Sequence, residues 1–378
     1  MITINRALEN TFLNKLNDPK AIIVLGARQV GKTTLFRSLM SGVQGVLWLN
    51  GDEPDVRVTL GNANSSSLKK LIGWYKYLVI DEAQRVENIG LTIKLIVDNI
   101  PSVKVIATGS SSFELANHIN EPLTGRKWEF QLFPLCTHEM VEHHGVIEER
   151  RLLEHRLIYG MYPDVINASG GNEMDILLQL ADSYLYRDLL VWENIHKPKH
   201  LEKLVQSLAF QVGQLISINE LANQTGLDNK TVERYIDLLK KSYVIFELNS
   251  FSRNLRNEIK KQSKIYFYDN GIRNAVIRQF NTLQLRNDVG ALWENFIVSE
   301  RMKLNGYFHR MRQNYFWRNH AQQEIDLIET EGIDIYAYEL KWNASSKTKF
   351  SKSFTTEYQP KETIVISPEN YMDFLLQD

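Results

Sequence analysis

Residues 26–33 of the chain, GARQVGKT, fit the pattern G-x-x-x-x-G-K-[ST], in which glycines let the backbone wrap around phosphate groups. The amides of such a loop point at the phosphates, and the N-terminus of the following helix adds a favourable dipole. In this pattern Lys32 reaches the β- and γ-phosphates, and the hydroxyl of Thr33 is a ligand of Mg²⁺. We expect nucleotide contacts from the loop and the start of the next helix, at Gly26, Arg28, Gln29, Val30, Gly31, Lys32, Thr33 and Thr34.

Two carboxylates follow the apolar run at residues 77–80. We predict that Asp81 holds Mg²⁺, usually through water, and that Glu82 is the general base for the attacking water. The alternative for Glu82 is a solvated residue at a strand end, since binding without hydrolysis needs only Asp81. Ser110 follows the next apolar run, where it either senses the γ-phosphate or caps a helix.

An arginine that completes the charge compensation is harder to place. Arg28, Arg126 and Arg187 all have suggestive neighbours, and Arg126 in the sequence LTGR is the first candidate. The alternative for each is a surface or salt-bridged arginine.

A second set of charged residues lies near the C-terminus. Asp326 and the pair Glu339 and Lys341 fall on consecutive predicted strands, and residues two apart on a strand share a face. Two carboxylates are hard ligands for Mg²⁺ or Mn²⁺, and a nearby lysine helps a metal-bound water to attack a phosphodiester. Glu294 on the preceding helix is a candidate third ligand. The alternative is a solvated or salt-bridged cluster without cleavage activity.

The elements around these residues follow from short apolar runs. Runs at residues 21–25, 46–49, 77–80 and 103–107 alternate with helix-length segments, which indicates buried parallel strands in an α/β sheet. Residues 136–210 are predicted to be mostly helical, as a lid or linker. From about residue 288 the pattern predicts a helix, three strands, a helix and a strand.

Residues 217–268 have the spacing of a helix-turn-helix followed by two strands. Ser217 and Asp228 are the predicted helix caps, and Gly226 lies in the turn between the helices. The loop between the strands is predicted to be basic and to contact DNA through Arg253, Arg256, Lys260, Lys261 and Lys264. The alternative is a packing or coupling module.

Composition limits the classes of protein. The 378 residues are 43% hydrophobic and 24% charged, as in a globular protein, and the net charge of -1 means that any binding to nucleic acid must be local. The single cysteine, Cys136, excludes an internal disulfide and fits a reducing compartment. No apolar run has the length of a membrane helix, and the N-terminus lacks a signal-peptide stretch, so we expect a cytoplasmic protein without a membrane partner.

Several motifs taken in order resemble the prokaryotic AAA-type ATPases that end in a domain of unknown function. They are GARQVGKTTLF, DEAQ, ATGSSSFEL, LTGR, GMYPDV, YLYRDL, KIYFYDNGIR, GALWENFIVSE and the EID and ELK pair. The resemblance covers nearly the whole chain. It implies an AAA+ or STAND-like P-loop module, a winged helix and a C-terminal domain similar to the PD-(D/E)XK nucleases, which are restriction-endonuclease-like. One departure is Ile325, since a proline precedes the equivalent of Asp326 in the family pattern.

The resemblance implies phosphate and Mg²⁺ binding by Lys32 and Thr33, hydrolysis by Asp81 and Glu82, and a nuclease-like triad of Asp326, Glu339 and Lys341. We therefore predict an α/β protein with a P-loop ATPase domain (1–135), a helical lid (136–210), a winged helix (211–270) and a nuclease-like domain (271–378). The leading hypothesis is an Mg²⁺-dependent ATPase that controls a nucleic-acid-directed C-terminal domain, with DNA favoured over RNA and a second divalent metal in that domain. The alternatives are an ATP-regulated DNA-binding protein that does not cut, and a protein-interaction switch.

Overall fold

The computed structural model describes residues 4–110, 123–182, 198–252, 263–308, 311–343 and 349–376. The chain divides into two compact units. We call residues 5–134 with 241–243 the N-terminal unit, and residues 135–240 and 244–378 with 1–4 the C-terminal unit. The candidate residue Arg187, and Arg253, Arg256, Lys260 and Lys261 of the predicted basic loop, lie outside the described residues.

The N-terminal unit contains a five-stranded parallel sheet. Its strands are β1 (Ala21–Leu25), β2 (Val46–Asn50), β3 (Tyr77–Asp81), β4 (Lys104–Gly109) and β5 (Lys127–Gln131), in the spatial order β2-β3-β4-β1-β5. The first four strands are the apolar runs that the sequence predicts, and β1, which lies between β4 and β5, is buried along its whole length. The predicted α/β fold with a parallel sheet is thus confirmed.

Helices cover both faces of this sheet. They are α1 (Glu9–Lys15), α2 (Lys32–Leu39), α3 (Pro54–Gly61), α4 (Ser65–Ile72) and α5 (Ile89–Asn99), with a short 3₁₀ turn at Ala83–Arg85. On one face, α3, α4 and α5 bury Leu60, Ile72 and Ile93 against alternate residues of the strands, such as Ile23 and Ile80. On the other face, the ring of Phe12 in α1 contacts Phe36 in α2 and Phe130 in β5.

The C-terminal unit begins with short helices, as the sequence predicts for residues 136–210. They are α6 (Thr137–His144), α7 (Val146–Arg151), α8 (Leu153–Tyr159), α9 (Pro163–Ile166), α10 (Glu173–Leu180) and α11 (Pro198–Phe210). The next two helices are α12 (Ile218–Thr225) and α13 (Asn229–Lys241). Ser217 caps α12, Gly226 ends it with a φ of 72°, and Asp228 accepts a hydrogen bond from Thr231 N at the start of α13.

A mixed six-stranded sheet forms the rest of the C-terminal unit. Its strands are β6 (Ile245–Ser250), β7 (Ser263–Phe267), β8 (Gln313–Arg318), β9 (Glu324–Glu331), β10 (Asp334–Leu340) and β11 (Glu362–Ile366), in the order β11-β10-β9-β8-β6-β7. The β6–β7 hairpin continues the sheet through a parallel pairing of β6 with β8 at Asn249 and Ser250, which the sequence did not predict. The sequence-based domain boundary at residue 270 stays a prediction.

Four helices accompany this sheet, and a 3₁₀ turn lies at Leu283–Leu285. The helices are α14 (Asn270–Val276), α15 (Val289–Tyr307), α16 (Lys352–Tyr358) and α17 (Tyr371–Leu376). Phe354 and Tyr358 of α16 pack with Trp317, and the ring of Phe374 in α17 lies against Tyr338 in β10. Across the described parts of both units, no helix combines the length and apolar character that crossing a membrane requires.

Candidate functional site

The predicted phosphate loop lies at residues 26–31, between the end of β1 and the start of α2. Gln29 and Gly31 have positive φ values, 60° and 95°, which turn the chain from the strand into the helix. Gly26 packs directly against the residue that follows β5, since a Cβ at this position would lie 2.2 Å from Leu132 O. The loop is therefore placed by the strand beside β1 as well as by its own turn residues.

Lys32 is buried in the first turn of α2, and its Nζ donates hydrogen bonds to Gly26 O at 2.9 Å and Ala27 O at 2.8 Å. Burial lowers the pKa of Lys32 to about 8, although the charges of Glu82 and Asp81 oppose that shift. The side chain therefore remains mostly protonated at neutral pH. An ammonium group held by the carbonyls of a phosphate loop is available to an incoming anion.

Asp81 ends β3, and each of its carboxylate oxygens accepts a hydrogen bond from a hydroxyl group. Thr33 Oγ1 donates to Asp81 Oδ2 at 2.7 Å, and Thr108 Oγ1 donates to Asp81 Oδ1. The structure therefore brings together the two residues that the sequence predicts as Mg²⁺ ligands. A hydroxyl beside a carboxylate is a hard oxygen set that fits Mg²⁺, and Thr33 and Asp81 are the residues that would hold it.

Glu82 follows directly, with a φ of 48° in the left-handed region. Gln84 Nε2 donates to Glu82 Oε2 at 2.6 Å and to Ser110 Oγ at 3.0 Å. The predicted base and the predicted sensor Ser110, at the end of β4, are therefore joined through one amide. The sequence analysis missed Gln84, although the motif DEAQ places it two residues after Glu82.

Arg6 is a second residue that the sequence analysis missed. Its buried guanidinium donates to Val30 O at 2.6 Å and to Phe133 O at 2.7 Å, which ties the phosphate loop to the segment after β5. A lone arginine before α1 fits no motif, so the sequence carries no signal for this contact. Arg28 is half-buried in the loop and Thr34 is exposed on α2, both next to the predicted phosphate position.

Arg126 does not lie where the sequence predicts it, beside the nucleotide site. It precedes β5, whose first residue, Lys127, pairs with Ala21 at the start of β1, whereas the phosphate loop follows the end of β1. Arg126 therefore lies at the amino-terminal ends of the parallel strands, whereas the loop lies at their carboxyl-terminal ends. The Nε of Arg126 donates a hydrogen bond to Asp98 at 2.7 Å. It cannot contact a nucleotide that this loop holds in the same chain.

The C-terminal unit brings Asp326, Glu339 and Lys341 together, and we call these residues with Glu294 and Glu324 the carboxylate centre. Lys341 Nζ lies 2.8 Å from Asp326 Oδ2 and 2.8 Å from Glu339 Oε2, and Leu340 N also donates to Asp326 Oδ2. Burial, followed by the charge of Asp326, raises the pKa of Glu339 to about 7. Burial alone would lower the pKa of Lys341, but the two carboxylates raise it.

Glu294 on α15 pairs with a lysine of the hairpin. Lys264 Nζ lies 3.0 Å from Glu294 Oε1 and 2.5 Å from Glu324 Oε1, and Tyr266 Oη donates to Glu294 Oε1 at 2.7 Å. Lys264 does not lie in the basic loop that the sequence predicts between the two strands. It belongs to β7 and is 1% exposed, because two carboxylates from distant parts of the chain neutralise it.

Each of the two lysines at this centre contacts two carboxylates. In the described ranges, no three His, Cys, Asp or Glu side chains are grouped so that they could hold a metal ion. Asp326 and Glu339, the predicted metal ligands, both contact Lys341, the predicted third member of that set. Glu294, the candidate third ligand, shares Lys264 with Glu324, and these two acids as placed do not fit a divalent metal.

Three family models match the chain. Residues 18–141 match an AAA domain, residues 150–283 match a domain of unknown function (DUF8612), and residues 289–375 match a second one (DUF4143). The solved Walker-type ATPase of Pyrococcus abyssi is similar with a TM-score of 0.50 and 17% identity, over 73% of this chain and 96% of that one. These findings support a P-loop ATPase of the AAA type, as the sequence predicts.

Curated relatives extend over most of the chain. An uncharacterised protein of Mycobacterium tuberculosis is 25% identical over 360 residues, which is 93% of this chain and 77% of the relative. An uncharacterised protein of Methanocaldococcus jannaschii is 25% identical over 375 residues, covering 93% of this chain and 80% of the relative. The chain is thus similar, over most of its length, to uncharacterised proteins of a bacterium and an archaeon.

Proposed function

We propose that the chain is an Mg²⁺-dependent switch that binds and hydrolyses ATP. The hydrogen bond between Thr33 and Asp81, next to a loop that already holds Lys32, carries this proposal. The amides of the loop and the N-terminus of α2 bind the phosphates, and Lys32 adds a positive charge. When bound, Mg²⁺ neutralises phosphate oxygens and favours attack on the γ-phosphorus.

In this proposal Glu82 takes the proton of the attacking water. Gln84 orients the Glu82 carboxylate through its 2.6 Å hydrogen bond, and it also donates a hydrogen bond to Ser110. A contact between Ser110 and the γ-phosphate would therefore alter the position of the base through Gln84. The chain supplies the proton acceptor, the phosphate cradle and the alignment.

The test is ATP binding and phosphate release by the Lys32→Ala variant. Removing the ammonium should weaken binding or turnover by about 100-fold or more, since a charged donor aimed at the phosphates is lost. Lys69→Ala is the matched control, because Lys69 is exposed on α4 of the same unit. Undiminished hydrolysis in the Lys32→Ala variant would refute the assignment.

We further propose that the C-terminal unit is directed at nucleic acid, with DNA favoured, and that it combines a winged helix with a nuclease-like domain. The convergence of Asp326, Glu339 and Lys341 on adjacent strands supports the nuclease likeness, and the capped helices α12 and α13 with the β6–β7 hairpin support the winged helix. The test is a DNA gel shift with and without ATP. Binding should weaken as salt rises, because phosphate contacts release counterions.

Two versions of this second proposal differ in cutting. In one version a divalent metal at the carboxylate centre supports DNA cleavage, which Asp326→Ala abolishes. In the other version the unit binds DNA without cutting it, as an ATP-regulated DNA-binding protein would. The ion pairs of Lys264 favour the second version in the conformation that the structure describes.

A further inference from the structure

We infer that Lys264 of the β6–β7 hairpin is an internal cation that closes the carboxylate centre against divalent metals. This inference rests on the proposed likeness of the centre to metal-dependent nucleases. It adds that the hairpin itself keeps the centre in a state that does not cut. The contacts that carry it lie within the C-terminal unit.

The position of the ammonium group is the first argument. Lys264 Nζ lies between Glu294 Oε1 at 3.0 Å and Glu324 Oε1 at 2.5 Å, so it bridges an acid of helix α15 and an acid of strand β9. A divalent ion bound by the same oxygens would lie about 2.0–2.6 Å from them. Such an ion would fall almost on the nitrogen, and the two cations exclude one another.

The enclosure of Glu294 is the second argument. Tyr266, two residues along β7, donates its hydroxyl to the same Oε1 atom at 2.7 Å. Gly213 closes another side, since a Cβ there would lie 3.1 Å from this oxygen, and Gly213 N is fixed to Ile265 O. Because β7 supplies or fixes these contacts, Glu294 cannot turn to a metal without a shift of the hairpin.

The other two acids of the centre share a second ammonium group. Lys341 Nζ lies 2.8 Å from both Asp326 and Glu339. Glu324 has a second cationic partner in Arg318, at 3.2 Å. Each acid of the centre thus contacts a basic group of the chain, and that positive charge reduces the attraction of the acid for a further cation.

The test is Mn²⁺ binding to the full-length, nucleotide-free protein, measured as free Mn²⁺ by electron paramagnetic resonance. Four proteins are compared: wild type, Asp326→Asn, Lys264→Met and the double variant. Mn²⁺ at the phosphate loop is common to all four and cancels in the differences. We expect equal binding by wild type and Asp326→Asn, and one additional Mn²⁺ in Lys264→Met that the double variant loses.

Lys361→Met is the matched control, because Lys361 forms an exposed ion pair with Asp334 in the same unit and should gain no Mn²⁺. A wild type that binds more Mn²⁺ than Asp326→Asn would overturn the inference. So would a folded Lys264→Met protein, checked by circular dichroism, that binds no additional Mn²⁺. If Lys264→Met does not fold, a wild type that binds more Mn²⁺ than Asp326→Asn still overturns the inference, and Lys264→Gln replaces Lys264→Met in the test for the additional Mn²⁺.

A DNA cleavage assay with Mn²⁺ separates this inference from the proposed function. Cleavage by Lys264→Met, together with none by the wild type, would support both. If Lys264→Met gains Mn²⁺ but cuts no DNA, the inference stands and the nuclease likeness fails. If the wild type binds Mn²⁺ through Asp326 and cuts DNA, the nuclease proposal stands and the inference is wrong.

Discussion

The phosphate loop and the carboxylate centre both gather charged side chains at strand ends, but their partners differ in charge. In the N-terminal unit, Lys32 donates to backbone carbonyls and Asp81 accepts from hydroxyls. In the carboxylate centre, acids face ammonium groups, as in the pairs of Lys264 with Glu294 and of Lys341 with Asp326.

The difference lies in whether a charged side chain has a neutral or an oppositely charged partner within the chain. Neutral hydrogen-bonding partners hold a charged group in place without balancing its charge, so the attraction for a phosphate or a metal ion persists. An internal ion pair balances that charge, and opening it exposes two buried charges at once. Lysines and carboxylates occur in both units, but only their partners decide how strongly each site attracts a charged ligand.

The largest effect that the comparison predicts concerns Glu82. Glu82→Gln keeps the shape of the side chain but removes the proton acceptor, so hydrolysis should fall by about 10²–10⁴-fold while ATP binding persists. Phosphate release and the binding of a fluorescent ATP analogue measure the two quantities. The control is Glu87→Gln, an exposed acid of the same loop. Equal hydrolysis by wild type and Glu82→Gln would show that Glu82 is a solvated residue at a strand end.

The next effect concerns stability. Lys264→Met leaves Glu294 and Glu324 in the protein interior without their shared cation, and removing one member of a buried ion pair costs about 3–5 kcal/mol. Urea unfolding of the C-terminal unit measures this loss. Lys361→Met, whose lysine is exposed, should leave the unfolding midpoint unchanged. Equal midpoints for both variants would mean that the buried cation contributes nothing to stability.

The smallest effect is the pH dependence that Glu339 introduces. Its pKa of about 7 in the folded chain exceeds the ordinary value near 4.3, so the folded state binds this proton more tightly. The resulting stability is complete below about pH 4 and is lost as the pH rises through about 7. The free energy of unfolding of Glu339→Gln, relative to wild type, should therefore increase by roughly 1–3 kcal/mol between pH 5 and 8.

The control for this prediction is Glu362→Gln, because Glu362 is exposed on β11. Its difference from wild type is the reference for the change measured with Glu339→Gln. A difference for Glu339→Gln that stays constant with pH would contradict the raised pKa.

The parts of the fold that the sequence predicts are those with local signals. Buried parallel strands need apolar runs, so β1 to β4 are visible in the sequence, whereas the edge strand β5, with the sequence KWEFQ, alternates and was missed. Because β5 was not predicted, the sequence could not show that Arg126 lies at the amino-terminal ends of the strands. Which end of a sheet a side chain occupies depends on the strands next to it, and no short motif encodes that.

The site follows the same rule. The motifs around Lys32 and Asp81 predict their neighbours because phosphate chemistry fixes the spacing, and the alternation of β10 predicts that Glu339 and Lys341 share a face. The burial of Lys264 depends on Glu294 and Glu324, which are far away in the chain, so KKQSK reads locally as a basic loop. Whether a lysine is exposed or buried therefore depends on which acids the tertiary structure brings next to it.

The close approach of Gly26 to Leu132 O has a consequence for how the first position of the phosphate motif is constrained. A methyl group there would drive β5 away from β1 whether or not a nucleotide were present. The glycine is therefore demanded by sheet assembly, and a descendant of this chain that abandoned ATP altogether would still have to keep it.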